Sequence, residues 1–397
     1  MTDEISVPGF RVGGKRGKKY GLAIVASDVP ANCSVMATSN KIRASPVELS
    51  LKHARDNVAQ GVVISSGNAN AFTGEQGERD ARRMCELASE SLGVDSEDVI
   101  VNSTGIIGQN LEMSEIEELI DGVAENLQSN DSGINDAADA MRTTDSFEKI
   151  ASRNAVVNGE NVRVTGFAKG AGMIAPDLLH ATMIAVILTD AQVPKDKIDD
   201  ALRAAVDLSF NMINVDGDTS TNDMVVLLAN GTAGNGEAGS SFQTALNAVC
   251  LDLARLIVKD GEGATKLFEV EIHGAVSSED ARRAAKSVVR STLVKTAIFG
   301  ENPNWGRVVA AIGYSGAEFD KSRLSLRLSD EKEGVVLVED GVGVALKGTV
   351  EIKKAGEILK SSEVRFTADL GVGDFTATAI GCDLGYNYVK VNAEYTT

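Results

Sequence analysis

Short, dense apolar runs separated by polar, glycine-bearing stretches make up most of this chain. Residues 183–188 are apolar without a break. A run of that length between polar residues fits a strand buried on both faces, although periodicity alone does not separate it from a short buried helix. Residues 22–27, 62–67, 99–105, 162–167, 224–229 and 268–272 read as further strands. Helical spacing predicts elements from about Glu78 to Gly93, over 199–211, over 241–259 and within 278–299. Ser114 and Glu117 have the spacing of a capping box ahead of a stripe formed by Ile116, Leu119, Ile120, Val123 and Leu127. Residues 130–136 read as a polar connector and 303–306 as a turn. Beyond Arg323 the chain reads as short β-like segments at 335–338, 348–352, 363–368 and 375–380. Strands and helices without strict βαβ alternation predict an α/β (layered α+β) protein with much antiparallel sheet. A division near residue 280 gives a main domain, 1–280, and a smaller C-terminal α/β domain, 281–397.

Composition narrows the function classes. The 397 residues are 43% hydrophobic and 24% charged, and their net charge is −18. That balance suits a globular protein and argues against a nucleic-acid partner, which needs clustered Lys and Arg. The basic stretch at residues 10–20 is read as a solvated hairpin loop rather than a nucleic-acid arm. No apolar run approaches the ~20 residues that span a bilayer. The acidic N-terminus lacks a signal-peptide pattern, so the expectation is a cytoplasmic protein without membrane contact. The four cysteines (Cys33, Cys85, Cys250, Cys382) and three histidines (His53, His180, His273) are scattered. None falls at a metal-ligand spacing, so no metal and no cofactor are expected.

Candidate chemistry centres on residues 169–182. A glycine-bearing loop leads to Ala181 and Thr182, which opens the apolar run. A threonine hydroxyl there commonly caps backbone. It becomes a nucleophile only beside a base, and an N-terminal threonine carries one in its own α-amine. That amine has a pKa of roughly 7.7–8.0. For Thr182 this requires cleavage between Ala181 and Thr182. Ser103-Thr104-Gly105 offers a hydroxyl and an adjacent glycine N–H, two donors of the kind that stabilise an oxyanion, or simply a turn. Glu262, between glycines, could hold an ammonium group, and Lys169 a carboxylate; either could equally be a solvated surface charge. His180 could shuttle a proton or be a plain loop residue. The loop 261–266 lacks the spacing of a phosphate-binding P-loop.

Taken together, Ser66-Gly-Asn-Ala-Asn70, Thr73-Gly74, Ser103-Thr-Gly105, Lys169-Gly-Ala-Gly-Met-Ile174, Ala181-Thr-Met183, Val215-Asp-Gly-Asp-Thr-Ser-Thr-Asn-Asp223, Gly261-Glu-Gly-Ala-Thr-Lys266, Pro303-Asn-Trp-Gly-Arg307 and Asn392-Ala-Glu-Tyr-Thr-Thr397 resemble the ornithine acetyltransferase family, the bifunctional-type glutamate N-acetyltransferases of arginine biosynthesis. The resemblance runs nearly the whole length. It implies an αββα sandwich, self-cleavage into an α chain (1–181) and a β chain (182–397), and an α2β2 assembly. It implies acetyl transfer from N-acetylornithine to glutamate through an acetyl-Thr182 intermediate. Thr104 and Gly105 would form the oxyanion hole. Thr165, Lys169, Thr182, Glu262, Asn392 and Thr397 would bind substrate. Acetyl-CoA stays open as a further donor. The segment Asp177-Leu-Leu-His180 is longer than the family pattern, which has Asn-Met before the Ala-Thr pair, and Asn302 replaces a usual acidic residue. Two other functions compete: a related self-processing amidase or aminopeptidase with water as acceptor, and an uncleaved amino-acid-binding protein.

Overall fold

The structure is a computed structural model that describes residues 4–175, 183–234 and 236–394. His180, Ala181, Thr182 and Thr397 lie outside the described residues. The chain forms two compact units. One takes residues up to Asn211 and Asp218–Ile257; the other takes Met212–Gly217 and the chain from Val258 on. The units part near the end of a long helix.

The first unit runs β1 (Phe10–Arg16), β2 (Gly21–Ala37), α1 (Ser45–His53), β3 (Val58–Asn68), α2 (Gly74–Leu92), β4 (Val99–Ile106), α3 (Met113–Ala124), α4 (Asp131–Met141), β5 (Lys149–Val157), β6 (Glu160–Lys169), β7 (Ile184–Thr189) and α5 (Lys195–Leu208). After β8 (Ile213–Asn214), which joins the second unit, β9 (Met224–Ala229) and most of α6 (Ser240–Lys259) complete it. The strands lie in the order β4-β3-β2-β9-β7-β6-β5, with β1 also on β2. The basic stretch is the β1–β2 hairpin.

The long strand β2 joins two halves of this sheet. Its first part pairs with β3 and its last part, Asn32 to Ala37, with β9, with a register shift between Ala26 and Ala31. The alternation of side chains then sets the layers. Val25, Ile64 and Ile100 from one half share a core with Phe167, Val186, Leu188 and Val226 from the other. The alternate residues Leu22, Ile24, Val63 and Val101 pack against Met84 of α2 and Ile116 and Ile120 of α3. On the other half α6 lies so close to β6 that a Cβ at Gly166 would stand 2.8 Å from Leu253. Helices outside and two sheet layers inside make the αββα sandwich. Strands β7 and β9 are buried along their whole length, which is why they read as unbroken apolar runs. By length and composition α6 could cross a membrane. Its apolar positions Phe242, Leu246, Val249, Leu253 and Ile257 are buried and recur at helical spacing, so it is a core helix.

The second unit contains β8, β10 (Leu267–Ala275), α7 (Ser278–Arg290), α8 (Thr292–Phe299), α9 (Trp305–Gly313), β11 (Ser325–Ser329), β12 (Gly334–Glu339), β13 (Val342–Gly343), α10 (Val350–Ile358), β14 (Glu363–Asp369), β15 (Phe375–Cys382) and α11 (Tyr386–Glu394). Its sheet order is β13-β12-β11-β14-β10-β15-β8. Ala281, Ala285 and Val288 of α7 pack on Phe268, Val270 and Ile272 of β10.

Four local expectations differ from the structure. Residues 131–141 are a helix, α4, whose cap is Asn130, accepting from the Ser132 N–H. Its buried residues are mostly Ala and Gly, so its apolar stripe is faint. Helix α3 begins at Met113 with Glu112 as N-cap and no side-chain cap, so Ser114 lies inside the first turn and the capping box does not form. The segment 348–352 opens helix α10, with Thr349 capping the Ile352 N–H. The turn at 303–306 leads straight into α9.

Candidate active site

Three strands converge where β7 begins. In the order β9-β7-β6, Ile184 pairs with Met224 on one side and with Lys169 on the other. The Met224 N–H donates to the Met183 carbonyl over 2.8 Å. The head of β7 is therefore flanked by Asp223, just before β9, and by Lys169, at the end of β6. Thr182, one peptide before Met183, is outside the described residues.

Lys169 reaches the facing sheet layer. Its Nζ donates to the Thr104 hydroxyl oxygen over 3.1 Å. Thr104 lies near the end of β4 and is 9% exposed. An oxygen that accepts from an ammonium still has its own proton to give. Gly105 has φ +133, and a Cβ there would stand 2.3 Å from the Gly67 carbonyl carbon. Only glycine lets β4 run this close to the kinked end of β3. The register breaks at Gly67 and Asn68, a bulge of the kind that re-aims a strand end. Thr104 and Gly105 thus supply a hydroxyl and a neighbouring N–H at one strand end beside a fixed cation, the donor set that a developing oxyanion requires.

Lys169 is itself held by a buried pair. The Asp145 Oδ1 accepts from Lys149 Nζ over 2.7 Å and from the Gly170 N–H over 2.6 Å, and both side chains of the pair are fully buried. Burial pushes the Asp145 carboxyl up. The charges of Lys169 and Lys149, with the Gly170 N–H, outweigh that and hold it well below the usual carboxylate range. Its other oxygen accepts from the Thr143 N–H over 3.0 Å. Asp223 contrasts with it: burial pushes its carboxyl well above the ordinary range, against Lys169 and hydrogen bonds from Ser220 and Thr38.

The loop 216–223 ties these parts together. Ile174 bridges to Thr219, whose hydroxyl donates to the Ala175 carbonyl over 3.0 Å. The Asn40 amide donates to the Thr219 carbonyl. Asn222 donates to the carbonyls of Ala69 and Ser103, and its own carbonyl accepts from Asn102 over 2.8 Å. This clamp sets the end of β4 immediately before Thr104.

Lys169, Thr104 and Gly105 therefore come together. Thr165 does not join them: its hydroxyl is buried against the Ser152 hydroxyl at 2.8 Å, and four residues of strand put it about 13 Å from Lys169. The threonine whose backbone the structure brings to Gly170 is Thr143, in the turn that carries Asp145. Sequence reasoning missed Thr143, Asp145, Asn102, Asn222 and Asp223. The pattern Asn-Asp before a buried apolar run was the available signal for the last two.

In the second unit, Asn392 of α11 donates to Glu262 Oε2 over 2.9 Å, so these two predicted residues also meet. The Asp383 carboxylate grips the Thr265 and Lys266 N–H groups. Gly263, at φ +69, leaves no room for a Cβ, which would stand 2.3 Å from the Tyr388 nitrogen. The glycines of this loop serve close packing against α11. The four cysteines are buried thiols, and burial pushes that of Cys85 up to about 12, which leaves it un-ionised and unreactive. His53 bonds the Val99 carbonyl at 2.8 Å, a structural role.

Comparison with known sequences gives nearly full-length matches. The profile of the ArgJ family matches residues 6–397. Glutamate N-acetyltransferase of Methanocaldococcus jannaschii is 48% identical over 393 residues, covering 98% of this chain and 97% of that protein. The arginine biosynthesis bifunctional protein ArgJ of Caldanaerobacter subterraneus subsp. tengcongensis is 46% identical over 395 residues, covering 98% and 96%. Among solved structures, that of the arginine biosynthesis bifunctional protein argJ from Bacillus halodurans matches with a TM-score of 0.48 and 42% identity, covering 52% of this chain and 96% of that chain.

Proposed function

The chain belongs to the ArgJ family, and from that premise we propose that it is a glutamate N-acetyltransferase of arginine biosynthesis, an acyltransferase that moves acetyl from N2-acetyl-L-ornithine to L-glutamate. Cleavage between Ala181 and Thr182 frees the Thr182 amine. The amine takes the hydroxyl proton as the Thr182 oxygen attacks the acetyl carbonyl. The carbonyl oxygen becomes an oxyanion that accepts from the Thr104 hydroxyl and the Gly105 N–H. Its collapse releases ornithine, whose nitrogen takes up the proton, and leaves acetyl-Thr182. The glutamate amine then attacks the ester by the reverse sequence. Lys169 pairs with a substrate carboxylate, and the resemblance assigns substrate binding to Glu262, Asn392 and Thr397 as well. The mature enzyme is an α2β2 assembly of the cytoplasm.

The observation that carries this reading is the hydrogen bond from Lys169 to Thr104 beside Gly105, next to the head of β7. Intact mass with N-terminal sequencing tests the cleavage, and isotope exchange between acetylornithine and glutamate tests the transfer. Two chains, the larger beginning Thr-Met-Ile-Ala, with exchange outpacing hydrolysis, is the expected result. Thr182→Ala gives a folded, uncleaved, inactive chain. A single stable active chain, or a cleaved Thr182→Ala variant, would refute the nucleophile assignment.

A further inference from the structure

Lys295, on α8, is 3% exposed. Its Nζ donates to the Cys382 carbonyl and, over 3.6 Å, to the Cys382 Sγ, and among the described residues no carboxylate pairs with it. A buried ammonium without a counter-charge is costly. Cys382, the last residue of β15, is a free thiol and is 1% exposed. Burial raises all four cysteine thiols. Acidic neighbours raise Cys33 and Cys85 further and burial acts alone on Cys250, whereas Lys295 works against the rise at Cys382. A cation beside the sulfur is what separates a reactive cysteine from inert ones. The sulfur also has a definite place. A Cβ at Gly261 would stand 3.0 Å from the Cys382 Sγ, so the thiol lies directly against the loop that carries Glu262. The next residue, Asp383, grips that loop at Thr265 and Lys266. A nitrogen and a sulfur that acetyl transfer does not use are thus in contact beside one loop.

We propose that Lys295 and Cys382 form an oxidative modification site, in which one oxygen atom taken from dioxygen links Lys295 Nζ covalently to Cys382 Sγ. The O–O bond, the thiol S–H and one amine N–H break, and N–O and O–S bonds form. The second oxygen atom leaves as water with both hydrogens. Sulfur and nitrogen each give up two electrons, and these four reduce the dioxygen. Lys295 in its ammonium form releases its extra proton to water. A thiol reductant reverses the change: four electrons from two dithiols restore the thiol and the amine, and the bridging oxygen leaves as water. The bridge suits these positions. One intervening atom lets Nζ stay beside the Cys382 carbonyl, whereas a direct N–S bond would pull it onto the sulfur. A nitrogen bound to oxygen is a weak base, so the linkage also removes the buried positive charge. It ties α8 to the sulfur that packs against Gly261, and oxidation thereby acts on the loop that carries Glu262. The linkage itself does not depend on Glu262 binding substrate; its effect on turnover rests on that reading.

Peptide mapping of the purified protein by mass spectrometry tests the site. One portion is kept under dioxygen, the other under nitrogen with a dithiol. The expected product in the first is a Lys295 peptide joined to a Cys382 peptide, heavier than the two free peptides together by one oxygen less two hydrogens, about 14 Da. Heavy-isotope dioxygen should label the bridge, and a dithiol should release both peptides. The proposal is overturned by a Cys382 that stays fully open to alkylation once the oxygen-treated protein is unfolded, by a Cys382 oxidised without Lys295, or by a pair joined without oxygen. Lys295→Met and Cys382→Ala should give no joined peptides. The decisive reading is made on the wild type, so it holds even where a variant fails to fold. The oxidised wild type should show kcat/KM for glutamate lowered about tenfold by the shifted loop and restored by the dithiol, with Cys382→Ala indifferent to dioxygen. A joined protein with unchanged kcat/KM overturns the action on the Glu262 loop. A joined protein without any acetyl transfer in its reduced form overturns the proposed function, while the linkage stands on its mass.

Discussion

Lys169, at the end of β6, donates to the Thr104 hydroxyl across the two sheet layers, 3.1 Å from nitrogen to oxygen and 65 residues apart in the chain. A hydroxyl that accepts from a cation has its own O–H polarised outward, and charge-assisted bonds in a dry site strengthen one another. In the proposed mechanism Lys169 would therefore have two effects, attracting a carboxylate and sharpening Thr104 as an oxyanion donor.

Thr104→Ala should lower kcat by about 10²–10³ with little change in KM, because the donor acts on charge that develops only in the transition state. Lys169→Met should lower kcat and raise KM together. The double variant should cost less than the product of the two single effects, since the residues act as one unit. Steady-state kinetics on purified, cleaved variants checks all three, and strictly multiplicative losses would show that the two side chains work independently.

Much of this fold is readable along the chain, for a physical reason. Strands β7 and β9 are buried on both faces, so their residues are apolar without a break, and α3 shows a clean stripe of Ile116, Leu119, Ile120 and Val123. Helix α4 is not readable because Gly133, Ala137, Ala138 and Ala140 form most of its buried side, and small residues give little contrast. Thr349 looks like part of a β-like segment until its side chain is seen capping α10. The site was legible as isolated pieces. Thr104-Gly105 and Lys169 stand out as motif residues, but no local pattern announces that Asn222 grips Ser103, 119 positions away, or that Asp145 holds Gly170. Such pairings depend on strand order, which β2 decides by bending from one layer into the next.

The Asn222 clamp predicts a linked loss of stability and rate. Asn222→Ala leaves the carbonyls of Ala69 and Ser103 buried without their donor. At about 1–3 kcal/mol for each of the two orphaned groups, the variant should lose about 2–6 kcal/mol by urea unfolding. Because Ser103 directly precedes Thr104, kcat should fall as well, at nearly constant KM. An unfolding midpoint equal to that of the wild type would show that other groups satisfy these carbonyls.

The buried Asp145–Lys149 pair predicts a dependence on pH. The folded-state pKa of Asp145 is depressed, so the ionised carboxylate contributes stability that is fully present above the ordinary carboxylate range. That stability is lost as pH falls below the unfolded value of about 3.9 and on through the folded one. Asp145→Asn removes the carboxylate to which Lys149 donates, and breaking such a buried pair costs about 3–5 kcal/mol near neutral pH. The difference between wild type and variant should stay constant down to about pH 5 and shrink by about pH 3. A difference that is equal at both would place the cost in packing rather than in charge.

The C-terminal residues give a prediction that separates cleavage from turnover. Asn392 holds the Glu262 carboxylate over 2.9 Å from helix α11. Glu262 in turn sits in a loop held by Asp383 and packed against Tyr388 at Gly263. Removal of residues 392–397 takes away the Asn392 amide and the segment carrying Thr397, yet it leaves Asp383, the glycine loop and the first turn of α11 in place. None of the deleted residues belongs to the stretch 169–183 or to the Asn222 clamp. The truncated protein should therefore still cleave at Ala181–Thr182, as read by intact mass, while acetyl transfer to glutamate falls by at least about a hundredfold, the loss typical of removing a positioning contact. Glu262→Gln should reproduce the loss in turnover with the tail intact. Full turnover in the truncated protein would mean that the Asn392–Glu262 contact only fastens α11 to its loop and plays no part in substrate binding.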